Sequence, residues 1–465
     1  MFSSKTTSLL SSLVVLFLLF SVLPWSKRAE AQDEPSAVPE ISADDSPDLL
    51  PLPSPAADDA AADPDAPYSP PTGDAWVELC STADGAAIKK AVEAGADPNY
   101  RTTSGFTPVM SAAGFNPDIT AVEALIDAGA DVTAVERMYG LNALMVAASY
   151  NRDPAMIELL LAKGLDVNAQ NFQSGTALIQ AASSNPNPEI TEALVKAGAD
   201  LDSPDSLGAT PLMHASGYGS VRVIRKLLEL GANLQAVDSS GDSPLAWAAR
   251  SNPDSGAVAT LLKAGADPAV TNKNGFSPVY FAAANPNYDV FSFLLQKTED
   301  LSLLKTENTS ALMLAAASNP NLSVARRLLA LGLDPAAANE EGLTILMFAV
   351  TNDEPGMTKL ILSQRADPNA VDVNGRTALM YAANMATDPT IVRLLLGAGA
   401  DPLQKDVEGK TAADYAEENE VKSVGDLLAK YKTNETSETS ETNETSGGEE
   451  PASADSEPTA GDSSK

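Results

Sequence analysis

The sequence predicts an all-α solenoid of about eleven helix-turn-helix units, joined by short hairpins and flanked by disordered acidic tails. Three observations carry this expectation. A hydroxyl residue, a small residue or Pro, an apolar pair and Ala recur as a phrase, as in Thr107-Pro-Val-Met-Ser-Ala-Ala and Thr377-Ala-Leu-Met-Tyr-Ala-Ala. A second landmark, Gly-Ala-Asp or a close variant, keeps the same beat at Gly95, Gly129, Gly164, Gly198, Gly231, Gly265, Gly332 and Gly399. Finally, 44% of the chain is apolar but only 5% aromatic, so Ala and Leu must fill the core, which suits thin, closely packed helices.

Taken in order, residues 1–31 read as a secretory signal. Lys5 precedes an apolar run from Leu9 to Leu23, and Ala29-Glu30-Ala31 supplies a small-x-small cleavage site. Lys27 and Arg28 lie between run and site, which leaves an uncleaved membrane anchor as the alternative to export. Residues 32–73 are rich in Pro, Ala and Asp, with ten acidic residues and no basic one; they read as a stiff, self-repelling linker. Residues 433–465 are a Glu/Ser/Thr tail in which Asn434 and Asn443 fit the glycosylation sequon. Neither segment carries enough apolar surface to offset the entropy of ordering.

Residues 74–432 hold the repeats. Their anchors are Thr107, Asn142, Thr176, Thr210, Ser243, Ser277, Ser310, Thr344, Thr377 and Thr411, spaced by 33, 34 or 35 residues. Each anchor should cap a first helix by accepting from unpaired amides, with Pro suited to the first turn. Paired Ala residues keep that helix thin. A turn and a second helix come next, with apolar positions such as Ile157, Leu160 and Leu161, and Gly ends it in a left-handed conformation. The turns carrying Asn-Pro, at Asn116, Asn185, Asn252, Asn285 and Asn319, are one residue longer than the turn at Gly217-Tyr-Gly219. Lys297-Thr-Glu-Asp300 lacks Gly and is the expected irregularity.

On these residues the chain resembles the ankyrin repeat, whose motif runs Gly-x-Thr-Pro-Leu-His-x-Ala-Ala and later Leu-Leu-x-x-Gly-Ala-Asp. The resemblance spans about Asp74 to Lys432 and recurs ten times. Where the motif has His, this chain has Met110, Met145, Met213, Met313, Met347 or Met380, so imidazole hydrogen bonds are absent and packing should compensate. The resemblance implies non-enzymatic binding of a protein or peptide through hairpin tips and first-helix positions.

Composition excludes other classes. A net charge of −33 with no basic stripe argues against nucleic acid. One Cys, Cys80, rules out an internal disulfide, and one His, His214, rules out multi-histidine metal sites. No catalytic motif, phosphate loop or dinucleotide fingerprint occurs, no cofactor is implied, and the expected state is a monomer. Asn272-Lys-Asn-Gly275 and Asp372-Val-Asn-Gly375 look faintly like calcium loops but fall at repeat hairpins.

The candidate site is one column, the residue before the first Ala of each phrase: Ser111, Val146, Gln180, His214, Trp247, Phe281, Leu314, Phe348, Tyr381 and Tyr415. Five of the last six are aromatic in an aromatic-poor chain. Either these rings pack between units, or His214, Trp247, Phe281, Phe348, Tyr381 and Tyr415 line a groove for a partner. Tyr150, Tyr218, Phe172, Met138 and Tyr139 are further candidates near turns and hairpin tips.

Overall fold

The computed structural model describes residues 70–432 apart from 307, 353, 418 and 420. The leader expected at 1–31, all but the end of the linker expected at 32–73, and the tail expected at 433–465 with Asn434 and Asn443 lie outside the described residues. The chain divides between Pro67 and Tyr68, and the repeat array lies wholly in the second part.

Two layers of helices run along the array. First helices such as Pro108–Phe115, Ala143–Tyr150, Ala177–Ser184, Pro211–Tyr218 and Pro244–Ser251 each stack on their counterparts in the units before and after. Second helices such as Ile119–Asp127, Pro154–Ala162, Pro188–Lys196 and Val221–Glu229 form the other layer. The array opens with Asp74–Leu79 and Gly85–Glu93 and closes with Ala412–Ala416 and Lys422–Lys432. Isolated bridges such as Val371 with Thr377 close single hairpins, and successive hairpins are joined by single backbone bonds such as Val407 N–H to the Asn374 carbonyl at 3.0 Å.

Local chemistry explains why the helices start where the hydroxyl residues stand. All ten anchors are N-caps with extended backbone, and nine accept a hydrogen bond from the amide three residues on, as Thr107 does from Met110 at 3.3 Å. Thr411 instead donates its hydroxyl to Asp414 at 2.7 Å. Each cap of this kind is worth about 1 kcal/mol. In three units the Met sulfur completes the cap: the amides of Thr210, Thr344 and Thr377 donate to Met213, Met347 and Met380. The Ala pairs, for example Ala112-Ala113 and Ala147-Ala148, are wholly buried, which lets first helices approach closely. Second helices bury one stripe only, as at Met156, Ile157 and Leu160.

The Asn residues of the inter-helix turns tie one unit to the next. Asn285 Nδ2 donates to the carbonyls of Ala249 at 3.1 Å and Asn252 at 2.8 Å, while its Oδ1 accepts from the Asn287 amide at 3.0 Å. Asn116, Asn151, Asn185, Asn252, Asn319, Asn352 and Asn419 repeat the arrangement. The ladder is absent at Gly219, where the turn is one residue shorter and a Cβ would lie 2.3 Å from the Ala182 carbonyl oxygen.

Two beats are irregular. After Tyr288–Lys297 the usual glycine turn gives way to a 3₁₀ helix, Leu301–Leu304, as the missing Gly suggested. At the end of Pro355–Ser363 the left-handed position is held by Arg365, with φ of 64°.

Candidate functional site

The column residues are placed by the first helices, with the hairpin of the same unit folded back against them. At the six column positions that carry a ring, the hairpin residue nine before is Asp or Asn and sets the environment of that ring. Where that residue is Asp, one carboxylate oxygen accepts hairpin amides and the other meets a polar ring. Asp372 accepts from the amides of Asn374 and Arg376, and Tyr381 donates its hydroxyl to Asp372 Oδ2 at 2.7 Å. Tyr415 donates to Asp406 at 2.6 Å, and Trp247 Nε1 donates to Asp238 at 2.9 Å. His214 Nε2 lies 2.9 Å from Asp205 Oδ2. Where the hairpin residue is Asn, its Oδ1 still accepts the amides, but no second acceptor remains, and the column carries Phe281 above Asn272 and Phe348 above Asn339. Asp goes with a donor ring and Asn with a ring that needs no partner, as the hydrogen-bonding inventories of the two side chains require.

Four of the six candidate anchors are covered. Phe281, Phe348, Tyr381 and Tyr415 are all buried, between 1% and 7% exposed. They pack between units, and the open aromatic row considered from sequence is not present at those four positions. The hairpin returns at all six positions; what is added at three of these four is a cationic side chain, Arg250 at 4.0 Å over Phe281 and Arg376 against Tyr381 and Tyr415. Burial and the facing carboxylate push the Tyr381 hydroxyl up and that of Tyr415 up to about 12. Arg376, also buried, lies against both tyrosines.

His214 and Trp247 remain partly open, His214 with 16% of its side chain exposed. Burial works to raise the Asp205 carboxyl beside His214, but hydrogen bonds from His214 and from the Ala209 and Leu207 amides outweigh it and hold the carboxyl below its ordinary value.

The exposed aromatics lie four residues further along the first helix. Phe115, Tyr150 and Tyr218 occupy the last turn of successive or near-successive first helices and are 47%, 49% and 60% exposed. Phe115 and Tyr150 stack with centroids 5.0 Å apart, and Tyr218 meets Trp247 edge-on at 5.9 Å. At the other end of the same units, the hairpin tips expose Met138, Tyr139, Phe172 and Leu207. Phe172 rests against Gly140, where a Cβ would lie 2.7 Å from its ring; the Phe172 amide donates to the Tyr139 carbonyl at 2.9 Å. The buried Glu136 carboxylate accepts from the amides of Met138, Tyr139 and Leu141 and fixes that tip. Sequence reasoning singled out every one of these except Phe115 and Leu207. The periodicity places Phe115 with Tyr150 and Tyr218 in a second column four residues after the first, but only the structure shows that column exposed.

The first helices bearing these side chains are uncharged at neutral His: Pro108–Phe115, Ala143–Tyr150 and Pro211–Tyr218 carry no Asp, Glu, Lys or Arg. Cys80, buried against the second unit, has its thiol pushed up to about 12 by burial. Among the described residues no group of three or more His, Cys, Asp or Glu is placed to hold a metal ion, and no helix is long and apolar enough to cross a membrane.

A family model described as Ankyrin repeats (3 copies) matches residues 79–171, 178–272, 245–339, 312–406 and 346–439, which together cover nearly the whole array. No curated protein matches the chain.

Proposed function

The chain belongs to the ankyrin-repeat family, a non-catalytic fold that generally mediates protein–protein interaction, and on that premise we propose that it binds a protein or peptide on the second to sixth units. The partner-facing side chains are Phe115, Tyr150, Tyr218, Trp247 and His214, with Met138, Tyr139, Phe172 and Leu207 at the hairpin rim. Phe281, Phe348, Tyr381 and Tyr415 serve from beneath, by fixing the hairpins. The observation that carries this reading is the run of exposed rings on nearly uncharged helices in a chain of net charge −33. A soluble acidic protein has no packing reason to leave such rings in water, and aromatic side chains are the usual anchors of interfaces.

The protein acts as an exported monomer. Lys5, the Leu9–Leu23 run and Ala29-Glu30-Ala31 support residues 1–31 as the signal, residues 32–73 as a linker ahead of the 74–432 array, and 433–465 as a tail. An accessory inhibitor or stabiliser of an envelope enzyme, or a passive structural envelope protein, is the competing role. The test is affinity capture from the source cell's envelope or medium with the full mature chain and its F115A/Y150A/Y218A variant. Loss of a captured protein with an unchanged melting temperature supports the surface; equal capture by both chains refutes it.

A further inference from the structure

In the fifth and sixth units the exposed Tyr218 meets two partly open rings, His214 and Trp247. The centroids of His214 and Trp247 are 5.4 Å apart, of Tyr218 and Trp247 5.9 Å, and of His214 and Tyr218 6.5 Å, with planes inclined at 55°, 82° and 45°. A triangle this small allows one positive charge above it to lie within about 6 Å of all three centroids, the range over which ring faces attract cations. The Trp247 N–H is turned inward onto Asp238, so the polar edge of the indole is already satisfied.

The next step of the array shows what fits. Arg250, three residues after Trp247, bonds to Asp242 and places its guanidinium 4.0 Å from the centroid of Phe281, the column ring of the following unit. The position equivalent to Arg250 one unit earlier is Gly217, and the ring it faces is Trp247: a Cβ on Gly217 would lie 3.1 Å from Trp247 Cε3. The chain therefore supplies its own cation over Phe281, and among the described residues none lies over Trp247. Charge agrees. Hairpin and first-helix residues 201–219 and 234–251 carry four aspartates, Asp202, Asp205, Asp238 and Asp242, against the single Arg250, which is already engaged.

We propose that the His214–Tyr218–Trp247 triangle receives an arginine side chain of an extended segment of the partner protein, in the place that Arg250 occupies one unit along. This rests on the proposed binding role and specifies its chemistry. The partner segment is basic, which also suits a chain of net charge −33.

The full mature chain, labelled with nitrogen-15 at Trp, is titrated with the peptide acetyl-Gly-Ser-Arg-Ser-Gly-amide and with the same peptide carrying citrulline, which keeps the shape and loses the charge. The Trp247 indole resonance should shift saturably with arginine and not with citrulline, while buried Trp76 stays fixed as the reference. Tyr218→Leu, at a 60% exposed position, should weaken the arginine response about two- to fivefold. No Trp247 shift, equal shifts with both peptides, or an unaltered response in Y218L would overturn the arginine assignment. If arginine fails to shift Trp247 while the F115A/Y150A/Y218A variant still loses its captured protein, the arginine assignment falls and the binding role stands. If capture is indifferent to those substitutions, the binding role itself falls.

Discussion

Tyr381→Phe tests the coupling between hairpin and column directly. The substitution removes one oxygen and leaves the ring, so packing is preserved. What it deletes is a 2.7 Å hydrogen bond from a side chain 4% exposed to a carboxylate, Asp372, that is 6% exposed. A hydrogen bond to a charged group contributes about 1.5–3 kcal/mol. The two amide bonds to Asp372 Oδ1 survive, so the loss should fall near the middle of that range, about 2 kcal/mol. Urea unfolding of the full chain, monitored by far-ultraviolet circular dichroism, reads it out, and Asp372→Asn closes a double-mutant cycle whose coupling should exceed about 1 kcal/mol. A cost below about 0.5 kcal/mol, or no coupling, would refute the idea that the Asp and the ring act as a pair. The pH dependence has a definite sign. Burial first, then Asp372, raises the folded-state Tyr381 above its ordinary value. Its contribution is therefore complete below about pH 10, where the unfolded tyrosine is also neutral, and is lost as pH rises toward the folded value. Y381F should flatten that part of the alkaline decline.

The turns give two further expected outcomes. Asn285→Ala leaves two carbonyls and one amide without their buried partner and should cost about 3 kcal/mol, whereas Asn352→Ala should cost less, because that side chain is less buried and its bonds are longer, 3.1, 3.2 and 3.3 Å; equal losses by urea unfolding would contradict the ladder. Arg365→Gly should stabilise the array by about 1 kcal/mol, since it relieves a left-handed backbone at an exposed position; a lower unfolding midpoint would mean that the Arg365 side chain contributes more than the strain costs.

The surface proved only partly legible in sequence. The aromatic column is real as a periodicity, but periodicity says which residues share a row and not what lies over the row. Trp247 and Tyr381 are equivalent by position, and both bond to a hairpin Asp, yet the first is partly open and the second is covered. The Asp–ring pairing was present in the letters at a spacing of nine, but nine is neither a helical nor a strand period, so it gains meaning only once a hairpin is known to double back onto its own helix. Phe115 was missed for the opposite reason: it fits a helical period, four after Ser111, but a lone Phe in a hydrophobic phrase reads as core until its exposure is seen.

Sequence alone determined the units, their ten starts and most of their glycine ends, because capping and left-handed turns are decided by a few neighbouring residues. It also determined the acidity that makes a basic partner fitting. Only the tertiary structure decided which rings face water, because burial depends on the hairpin and on the neighbouring unit, 33 to 35 residues away. At Gly217 the absence of a side chain is invisible as chemistry in the sequence; in the structure it lets the Trp247 indole pack against the helix backbone, whereas Arg250 at the equivalent place one unit on lies over Phe281.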